Sequence, residues 1–143
     1  MKASQLLKKQ HREVEKLFAT ALKTEDPKVR RRTMDEIKSA LEHHTSIEEE
    51  IFYPAVRELG TKKAEDMIGE AYEEHHVVKL VLGELPKVDP SDDAFEYKMT
   101  VLKELVEHHV EEEEDEMFPM AEKKLGDRRS SELAQQMAGP KSA

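Results

Sequence analysis

The sequence predicts an all-α protein: an up-down-up-down four-helix bundle built from two repeated helical hairpins and followed by a short C-terminal helix. Composition is the first reason, because the 143 residues include 38% charged residues but only 5 Gly and 6 Pro, which favours long helices. The positions of the helix-breaking residues are the second reason, since the few prolines and glycines divide the chain into four long segments. The third reason is an internal repeat that relates the two halves of the chain.

The first two predicted helices form one hairpin. The first helix runs from about Ser4 to Lys23, where apolar residues recur at helical spacing. The turn that follows contains Asp26, which can cap the second helix, and Pro27, which suits a first helical turn. The second helix is predicted to stop at Gly60, because glycine readily adopts the left-handed conformation that ends many helices.

The next two predicted helices form the second hairpin. Thr61 can cap the third helix, which ends before Pro86. Ser91 can cap the fourth helix, which ends at Gly126. Two such hairpins bury their apolar stripes against each other, so we expect a mostly antiparallel bundle with short loops.

The chain has the length of one domain. We expect the bundle over residues 1–126, and a short amphipathic helix with a frayed tail over residues 127–143. Two prolines, Pro54 and Pro119, fall inside the second and fourth helices. Proline lacks a backbone donor and clashes with the preceding turn, so each of these helices should kink or break nearby.

The internal repeat is clearest around two acidic segments that contain paired histidines. The segment LEHHTSIEEEIFYP (residues 41–54) aligns with VEHHVEEEEDEMFP (residues 106–119), which matches both histidines, a glutamate and the proline. His11 in the first helix likewise aligns with His75 in the third helix. All 7 histidines lie within the repeated motifs, whereas random placement would scatter them.

Composition also limits the function. With 32 acidic and 23 basic residues, the net charge of −9 repels phosphate, so we expect no nucleic-acid partner and no membrane partner. The absence of cysteine excludes thiolate catalysis and cysteine-ligated metal sites. No apolar run approaches the ~20 residues of a membrane span, and the N-terminus lacks an apolar signal core, so we expect a cytoplasmic protein. The sequence identifies no protein partner.

Helical phase predicts which ionisable residues face the core. On the second helix, the apolar spacing of Ile37 and Leu41 continues onto His44 and Glu48. The same reasoning on all four helices selects one inward-facing set: His11, His44, Glu48, His75, His109 and Glu113. These side chains would destabilise a core if they were left unpaired, and metal ions remove that conflict. Imidazole and carboxylate donors suit iron or manganese, and no thiolate is present to favour zinc or copper(I).

The neighbours of this set are predicted to have lesser roles. The other histidine of each pair, at His43, His76 and His108, points about 100° away and is interpreted as flanking or exposed. Glu49 and Glu114 are interpreted as surface acids or as residues that support the ligands. The order His-x-x-x-Glu differs from the Glu-x-x-His of ferritin-like bundles, and the zinc-protease motif H-E-x-x-H does not occur.

The repeated motifs resemble a known family. The segments that carry the resemblance are H-x-x-x-E-E-x-x-F-Y-P (residues 44–54), H-x-x-x-E-E-x-x-M-F-P (residues 109–119), and the lone His11 and His75. Together they resemble the hemerythrin-like (HHE cation-binding) domains of bacteria, over nearly all of residues 4–126. The resemblance implies a four-helix bundle that holds two non-haem iron ions with an oxo or hydroxo bridge. It also implies that the four inward-facing histidines are terminal ligands and that Glu48 and Glu113 bridge the ions. Manganese, or a single iron, is the alternative metal content.

One position departs from the pattern of this family. Its respiratory members have a second histidine four residues after the one that matches His75, and this chain has Lys79 there. Water, a tyrosine, or Glu15 on the same face as His11 are the candidates for the missing ligand. Lys79 itself is interpreted as a lysine at the edge of the bundle or as the charge partner of a bridging carboxylate. An open ligand position suits the chemistry of peroxide better than purely reversible oxygen binding.

Three hypotheses for the function follow from the resemblance, and the last of them is an iron-holding or regulatory module without redox turnover that acts through a partner. The first is a non-haem di-iron protein that binds dioxygen or a related small oxidant for sensing, storage or delivery. The alternative is a di-iron enzyme that turns over hydrogen peroxide or nitric oxide at the open iron position. The sequence leaves open whether the protein is an enzyme.

Overall fold

A computed structural model describes residues 1–139, and helices make up nearly all of this range. The helices are α1 (Ala3–Lys23), α2 (Pro27–Ile47), α3 (Tyr53–Arg57), α4 (Lys62–Glu84), α5 (Asp93–Glu112) and α6 (Phe118–Ala138). Short π-helical turns join α2 to α3 (Glu48–Phe52) and α5 to α6 (Glu113–Met117), and a 3₁₀ turn follows α4 (Leu85–Lys87). The predicted four-helix bundle is confirmed, because α2 with α3, and α5 with α6, form continuous rods beside α1 and α4.

Helix caps confirm most of the predicted boundaries. The Asp26 carboxylate accepts a hydrogen bond from the Lys28 backbone N–H at 3.0 Å, and Thr61 caps α4 in the same way. The predicted cap at Ser91 is wrong, because Asp92 accepts from the Ala94 N–H at 2.9 Å. Ser91 is used elsewhere, since its own N–H and hydroxyl both donate to Asp89.

The fourth rod ends at Gly126, whose φ of 81° is left-handed and suits glycine. The residues that follow continue as a helix to Ala138, and this segment packs against the start of α1. There the Ser130 hydroxyl accepts from the Ala3 backbone N–H at 2.9 Å and donates to Glu122. The division of the chain at residue 126 stays a prediction, and residues 140–143 of the predicted tail lie outside the described range.

The two internal prolines change the width of the helix and do not break it. Before each of them, one backbone hydrogen bond spans five residues, from the Tyr53 N–H to the Glu48 carbonyl and from the Phe118 N–H to the Glu113 carbonyl. Within the first π turn, the Glu49 carbonyl accepts a hydrogen bond from the Tyr72 hydroxyl at 3.2 Å. Each rod therefore gains one extra residue at a π turn, which is a feature often found at functional sites.

The core consists of two apolar layers separated by an ionisable layer. One apolar layer surrounds the π turns and includes Phe52, Phe118 and Ile68, and the other lies toward the α1–α2 loop and includes Phe18 and Phe95. The buried histidines and glutamates lie between them. Among the described residues, no helix is long and apolar enough to span a membrane.

Candidate metal centre

All members of the predicted inward-facing set are buried, and they converge in the middle of the bundle. The set is His11, His44, Glu48, His75, His109 and Glu113. Their donor atoms form two adjoining groups, one around His11 and His44 and one around His75 and His109, and Glu48 belongs to both. We refer to His11 with His44 as the first half-site, and to His75 with His109 as the second half-site.

Within each half-site, the two imidazoles point the same nitrogen at each other. The Nε2 atoms of His11 and His44 are 3.2 Å apart, and so are those of His75 and His109. Two facing nitrogen lone pairs repel each other, so each pair requires a proton or a cation at this point. The arrangement therefore presents paired nitrogen donors at two adjacent positions.

Each buried carboxylate reaches both half-sites. Glu48 Oε1 is 3.2 Å from His44 Nε2 and 3.1 Å from His75 Nε2. Glu113 Oε1 is 3.1 Å from His11 Nε2, and its Oε2 is 3.4 Å from His109 Nε2. This geometry suits carboxylates that bridge two cations.

The outer nitrogen of every buried histidine is held by a side-chain oxygen. The contacts to Nδ1 are His11 with Glu114 at 2.7 Å, His44 with Gln10 at 2.6 Å, His75 with Glu49 at 2.7 Å and His109 with Glu74 at 2.6 Å. Because these oxygens accept, each Nδ1 carries the proton and each Nε2 presents its lone pair inward. The supporting roles foreseen for Glu49 and Glu114 agree with these contacts.

Gln10 and Glu74 were not foreseen from the sequence. Each directly precedes a buried histidine of its own helix, His11 or His75, yet reaches across to a histidine of the neighbouring helix. The repeat contained the signal, since the two residues occupy equivalent positions in the two hairpins.

A tyrosine was one of the candidates for the missing ligand, and Tyr53 lies at the second half-site. Its fully buried hydroxyl donates to Glu113 Oε2 at 2.6 Å and lies 3.2 Å from Nε2 of both His75 and His109. A regular α-helix would turn Tyr53 about 140° away from Glu48. The π turn removes most of this difference and brings the phenol into the site.

Lys79 and Glu15 lie outside the centre. Lys79 Nζ contacts Glu49 Oε2 at 2.9 Å, so its charge partner is a carboxylate that supports His75 and not a bridging one. Glu15 is exposed and pairs with Arg12, which also contacts Glu114. The three remaining histidines are exposed, as expected: His43, His76 and His108.

The charges of the centre favour cations. Burial opposes ionisation here, but the neighbouring Glu113 and Glu48 raise the pKa of His11 and of His109 above the ordinary range. Burial also opposes ionisation of Glu48, yet the charge of His44 and nearby hydrogen bonds hold the Glu48 pKa well below its ordinary range. The same burial, together with Glu113 and Glu48, keeps the Tyr53 pKa well above its ordinary value. Without a metal, a second proton, on Nε2 of His11 and of His109, balances the buried carboxylates.

Two carboxylate oxygens test whether a metal fits. Glu48 Oε2 and Glu113 Oε1 are fully buried and accept no hydrogen bond from any described residue, because His11 Nε2, although 3.1 Å from Glu113 Oε1, is not oriented to donate to it. A buried acceptor without a partner is destabilising, and a cation would satisfy both oxygens. The nitrogen and oxygen donors also match the preferences of first-row metals, so the residues fit a metal centre.

A small cavity adjoins the imidazoles on the side of the second apolar layer. It has a volume of about 20 Å³, which is room for one water-sized molecule. Besides the four buried histidines, it is lined by Val14, Leu41, Thr45, Val78, Val106 and Val110. A small apolar molecule could therefore lie beside the inward-facing nitrogens.

Comparison with known proteins identifies the family. The hemerythrin HHE cation binding domain profile matches residues 2–121, which include every member of the inward-facing set. A solved hemerythrin HHE cation binding domain-containing protein from Mycobacterium kansasii is 28% identical, with a TM-score of 0.83 over 96% of this chain and 83% of that chain. A Nostoc protein described as a DNA nickase is 26% identical over 142 residues, and this chain spans 40% of its length. The chain belongs to the hemerythrin HHE cation-binding domain family.

Proposed function

We propose that the centre holds two iron ions and that the protein binds dioxygen or a related small oxidant for sensing, storage or delivery. The observation that carries this proposal is the pair of half-sites spanned by Glu48 and Glu113, each of which has one buried oxygen without a partner. One ion would lie at each half-site, with His11 and His44 on one and His75 and His109 on the other. Both carboxylates would bridge them.

The donor set and the cavity support iron and a small ligand. Imidazole with carboxylate suits iron or manganese, and the family is one of cation-binding domains. When bound, iron supplies reversible electron transfer to a small ligand. The cavity beside the imidazoles has room for one molecule of that size, and its valine and leucine side chains exclude water. The chain would thereby hold a small ligand beside the inward-facing nitrogens.

We further propose that Tyr53 takes the place of the histidine that is missing at Lys79. Its hydroxyl lies 3.2 Å from Nε2 of both His75 and His109, which makes it the nearest oxygen donor of the candidates considered. Glu15 is exposed and paired with Arg12, so the proposal does not use it. Whether Tyr53 ligates directly or only holds Glu113 in position is decided by the visible spectrum of the iron-loaded protein.

Turnover of hydrogen peroxide or nitric oxide is the second candidate, and Tyr53 is the observation that favours it. Breaking the O–O bond of peroxide is assisted by a hydrogen-bond donor at the leaving oxygen, and the Tyr53 hydroxyl, which donates to Glu113 Oε2 at 2.6 Å, is such a donor within the buried centre. Because its pKa lies well above the ordinary value, the buried Tyr53 phenol stays protonated at neutral pH and acts as a hydrogen-bond donor in the centre. Purely reversible binding needs no such donor.

The proposal does not include nucleic-acid cleavage, although a Nostoc relative is described as a DNA nickase. This chain spans 40% of that protein, and its own net charge is −9. Phosphate backbones bind basic surfaces, so we expect no nicking of supercoiled plasmid by the iron-loaded protein. Conversion of the plasmid to the open circular form, absent in the His109→Ala variant, would assign nicking to this centre.

One preparation tests the main proposal. Iron per chain is measured after anaerobic loading, and visible spectra are then recorded with air and with peroxide. We expect two irons per chain. A stable and reversible change of the visible spectrum in air indicates binding of dioxygen. Rapid loss of peroxide, followed by return of the original spectrum, indicates turnover. Purified protein that is fully helical but takes up no iron would overturn the proposal.

A matched pair of variants tests the ligand set. His44→Ala should lose at least half of the iron, because His44 faces the centre, whereas the exposed neighbour in His43→Ala should leave loading unchanged. Loss of iron in His43→Ala with normal loading in His44→Ala would reverse the assignment.

A further inference from the structure

We propose that the two half-sites bind iron with unequal affinity and that the second half-site, His75 with His109, fills first. This inference rests on the proposed function and extends it to the order of metal loading. It follows from a comparison between the two hairpins, which are repeats of one pattern, at two of the positions where they differ and where the side chains touch the buried histidines.

The first difference is the charge of the side chain that accepts a hydrogen bond from Nδ1 of His44 and of His109. Gln10 Oε1 accepts from His44 Nδ1 at 2.6 Å, and Glu74 Oε1 accepts from His109 Nδ1 at the same distance, 2.6 Å. The two contacts are equivalent in the repeat and equal in length. One acceptor is a neutral amide and the other a carboxylate, so only the second half-site gains a negative charge.

The other supporting pair does not distinguish the half-sites. Glu114 holds His11 and Glu49 holds His75, each at 2.7 Å. Each of these carboxylates also has a cationic partner, Arg12 for Glu114 and Lys79 for Glu49. Their electrostatic effects on the two half-sites are therefore similar.

The second difference lies at the residue that follows each π turn. Phe118 stacks on the His11 ring, with centroids 5.8 Å apart and planes at 10°, and it offers no polar atom. Its equivalent is Tyr53, whose hydroxyl lies 3.2 Å from both nitrogens of the second half-site. The second half-site therefore has an additional oxygen donor, the Tyr53 hydroxyl, and Phe118 supplies none to the first half-site.

Both differences favour a cation at the second half-site. A carboxylate on Nδ1 makes the imidazole a stronger donor and adds attraction for the ion, and loss of such a partner typically lowers metal affinity about 10- to 100-fold. His108 lies 3.7 Å from the other Glu74 oxygen, but its side chain is 66% exposed and water screens its charge. We therefore expect two binding steps separated by at least about tenfold.

A reciprocal and isosteric exchange tests the proposal. Fe²⁺ is titrated anaerobically into metal-free protein and the binding constants are measured by calorimetry. Glu74→Gln should weaken the first step about 10- to 100-fold and leave the second unchanged, whereas Gln10→Glu should strengthen the second step by a similar factor. The double exchange should reverse the order of filling.

Ligand variants assign the steps to half-sites. His44→Ala removes a ligand of the first half-site and should retain the tight step, whereas His109→Ala should retain only the weak one. A wild-type protein that holds a single iron supports the proposal if His44→Ala keeps that iron and His109→Ala loses it. Circular dichroism of each metal-free variant checks that the helices are intact.

The outcomes separate this inference from the function on which it rests. Two equal binding constants in the wild-type protein overturn the inference while the metal centre stands, and so does an unchanged first step in folded Glu74→Gln. If Glu74→Gln does not fold, Gln10→Glu decides alone, since an unchanged second step overturns the inference. A wild-type protein that binds no Fe²⁺ overturns the proposed function itself.

Discussion

At the scale of single residues, Tyr53 connects the buried carboxylates to the second half-site. Tyr53→Phe keeps the ring but removes the hydroxyl that donates to Glu113 Oε2, and it leaves a buried carboxylate oxygen with fewer partners. We expect the metal-free protein to lose about 1–3 kcal/mol of unfolding free energy in urea denaturation. In the iron-loaded protein, the variant should also alter the visible spectrum.

Tyr72→Phe is the matched control for this prediction. The Tyr72 hydroxyl donates to the Glu49 backbone carbonyl at 3.2 Å and lies outside the ligand set. We expect a smaller loss of stability and an unchanged visible spectrum. If both variants left the spectrum as it is in the wild type, Tyr53 would have no part in the metal centre.

The raised pKa values of His11 and His109 predict how pH affects the metal-free protein. A histidine whose pKa is higher in the folded state stabilises the fold fully below its ordinary pKa of about 6.5, and this stabilisation is lost as pH rises through the raised value. The pKa of Glu48 is lowered, so its contribution is present above its ordinary value and is lost only in acid. The metal-free protein should therefore melt at a lower temperature at pH 9 than at pH 6.5.

Thermal melts in the presence of a chelator check this prediction. A bound cation replaces the protons, so the melting temperature of the iron-loaded protein should change much less over the same range. His43→Ala is the control, because this histidine is exposed and the variant should keep the wild-type profile. Metal-free protein that gains stability between pH 6.5 and pH 9 would contradict the assigned ion pairs.

Residue-scale reasoning from the sequence identified the inward-facing set because helical phase is local information. His44 and Glu48 follow the spacing of the apolar residues before them, and both are buried as that spacing predicts. Gln10 and Glu74 could not be selected in this way, since each supports a histidine on another helix. Contacts of this kind depend on how the rods are rotated against each other, which the sequence of one helix does not specify.

At the scale of elements, the π turns explain where the predicted phase stops being valid. The sequence predicted that the helices kink or break near Pro54 and Pro119, and the structure has a π turn with one extra residue directly before each proline. Regular helical spacing from Leu41, His44 and Glu48 would put Ile51 on the buried face, but Phe52 and Tyr53 are fully buried and Ile51 only partly so. The local sequence signalled an irregularity, but the choice between a kink and a wider turn depends on packing.

Removal of the extra residue tests this description of the element. Deletion of the exposed Glu50 together with Pro54→Ala should convert the π turn to regular helix and keep both Glu48 and Tyr53 facing inward, since they would be four residues apart. We expect a folded protein in which the Tyr53 hydroxyl still reaches the centre. Circular dichroism, thermal melting and iron per chain measure the outcome.

Deletion of Glu42, which is exposed within the regular part of α2, is the control. It rotates every residue on one side of the deletion by about 100° relative to the other side, so it should unfold the protein or abolish iron loading. Equal damage from both deletions would mean that the π turn is not a single inserted residue.

At the scale of the whole molecule, the repeat explains why the fold was predictable. Two hairpins of one pattern with short loops leave few arrangements that bury all four apolar stripes, and the bundle is one of them. The contact between the C-terminal helix and α1 was not predictable, because it depends on Ser130 and Glu122 meeting Ala3 and Ser4 across nearly the whole chain. Such long-range contacts have no local pattern in the sequence.

The layered core predicts how metal removal affects the whole molecule. Apolar layers on both sides of the centre retain their packing without a cation, so the metal-free protein should stay helical. Its stability should be lower, because the buried oxygens of Glu48 and Glu113 lose their partner. A cation at one hundred times its dissociation constant adds about 2.7 kcal/mol, and a second bound ion adds a further contribution. Iron-loaded protein should therefore melt several degrees above chelated protein.

The His44→Ala variant makes this prediction specific. It removes a ligand from one half-site and leaves both apolar layers in place, so the difference in melting temperature between loaded and chelated protein should shrink to that of one ion. The difference in His43→Ala should equal that of the wild type, because this histidine is exposed. If loaded and chelated wild-type protein melted at the same temperature, the cation would not be bound in the core, since an ion bound only to the folded chain must stabilise it.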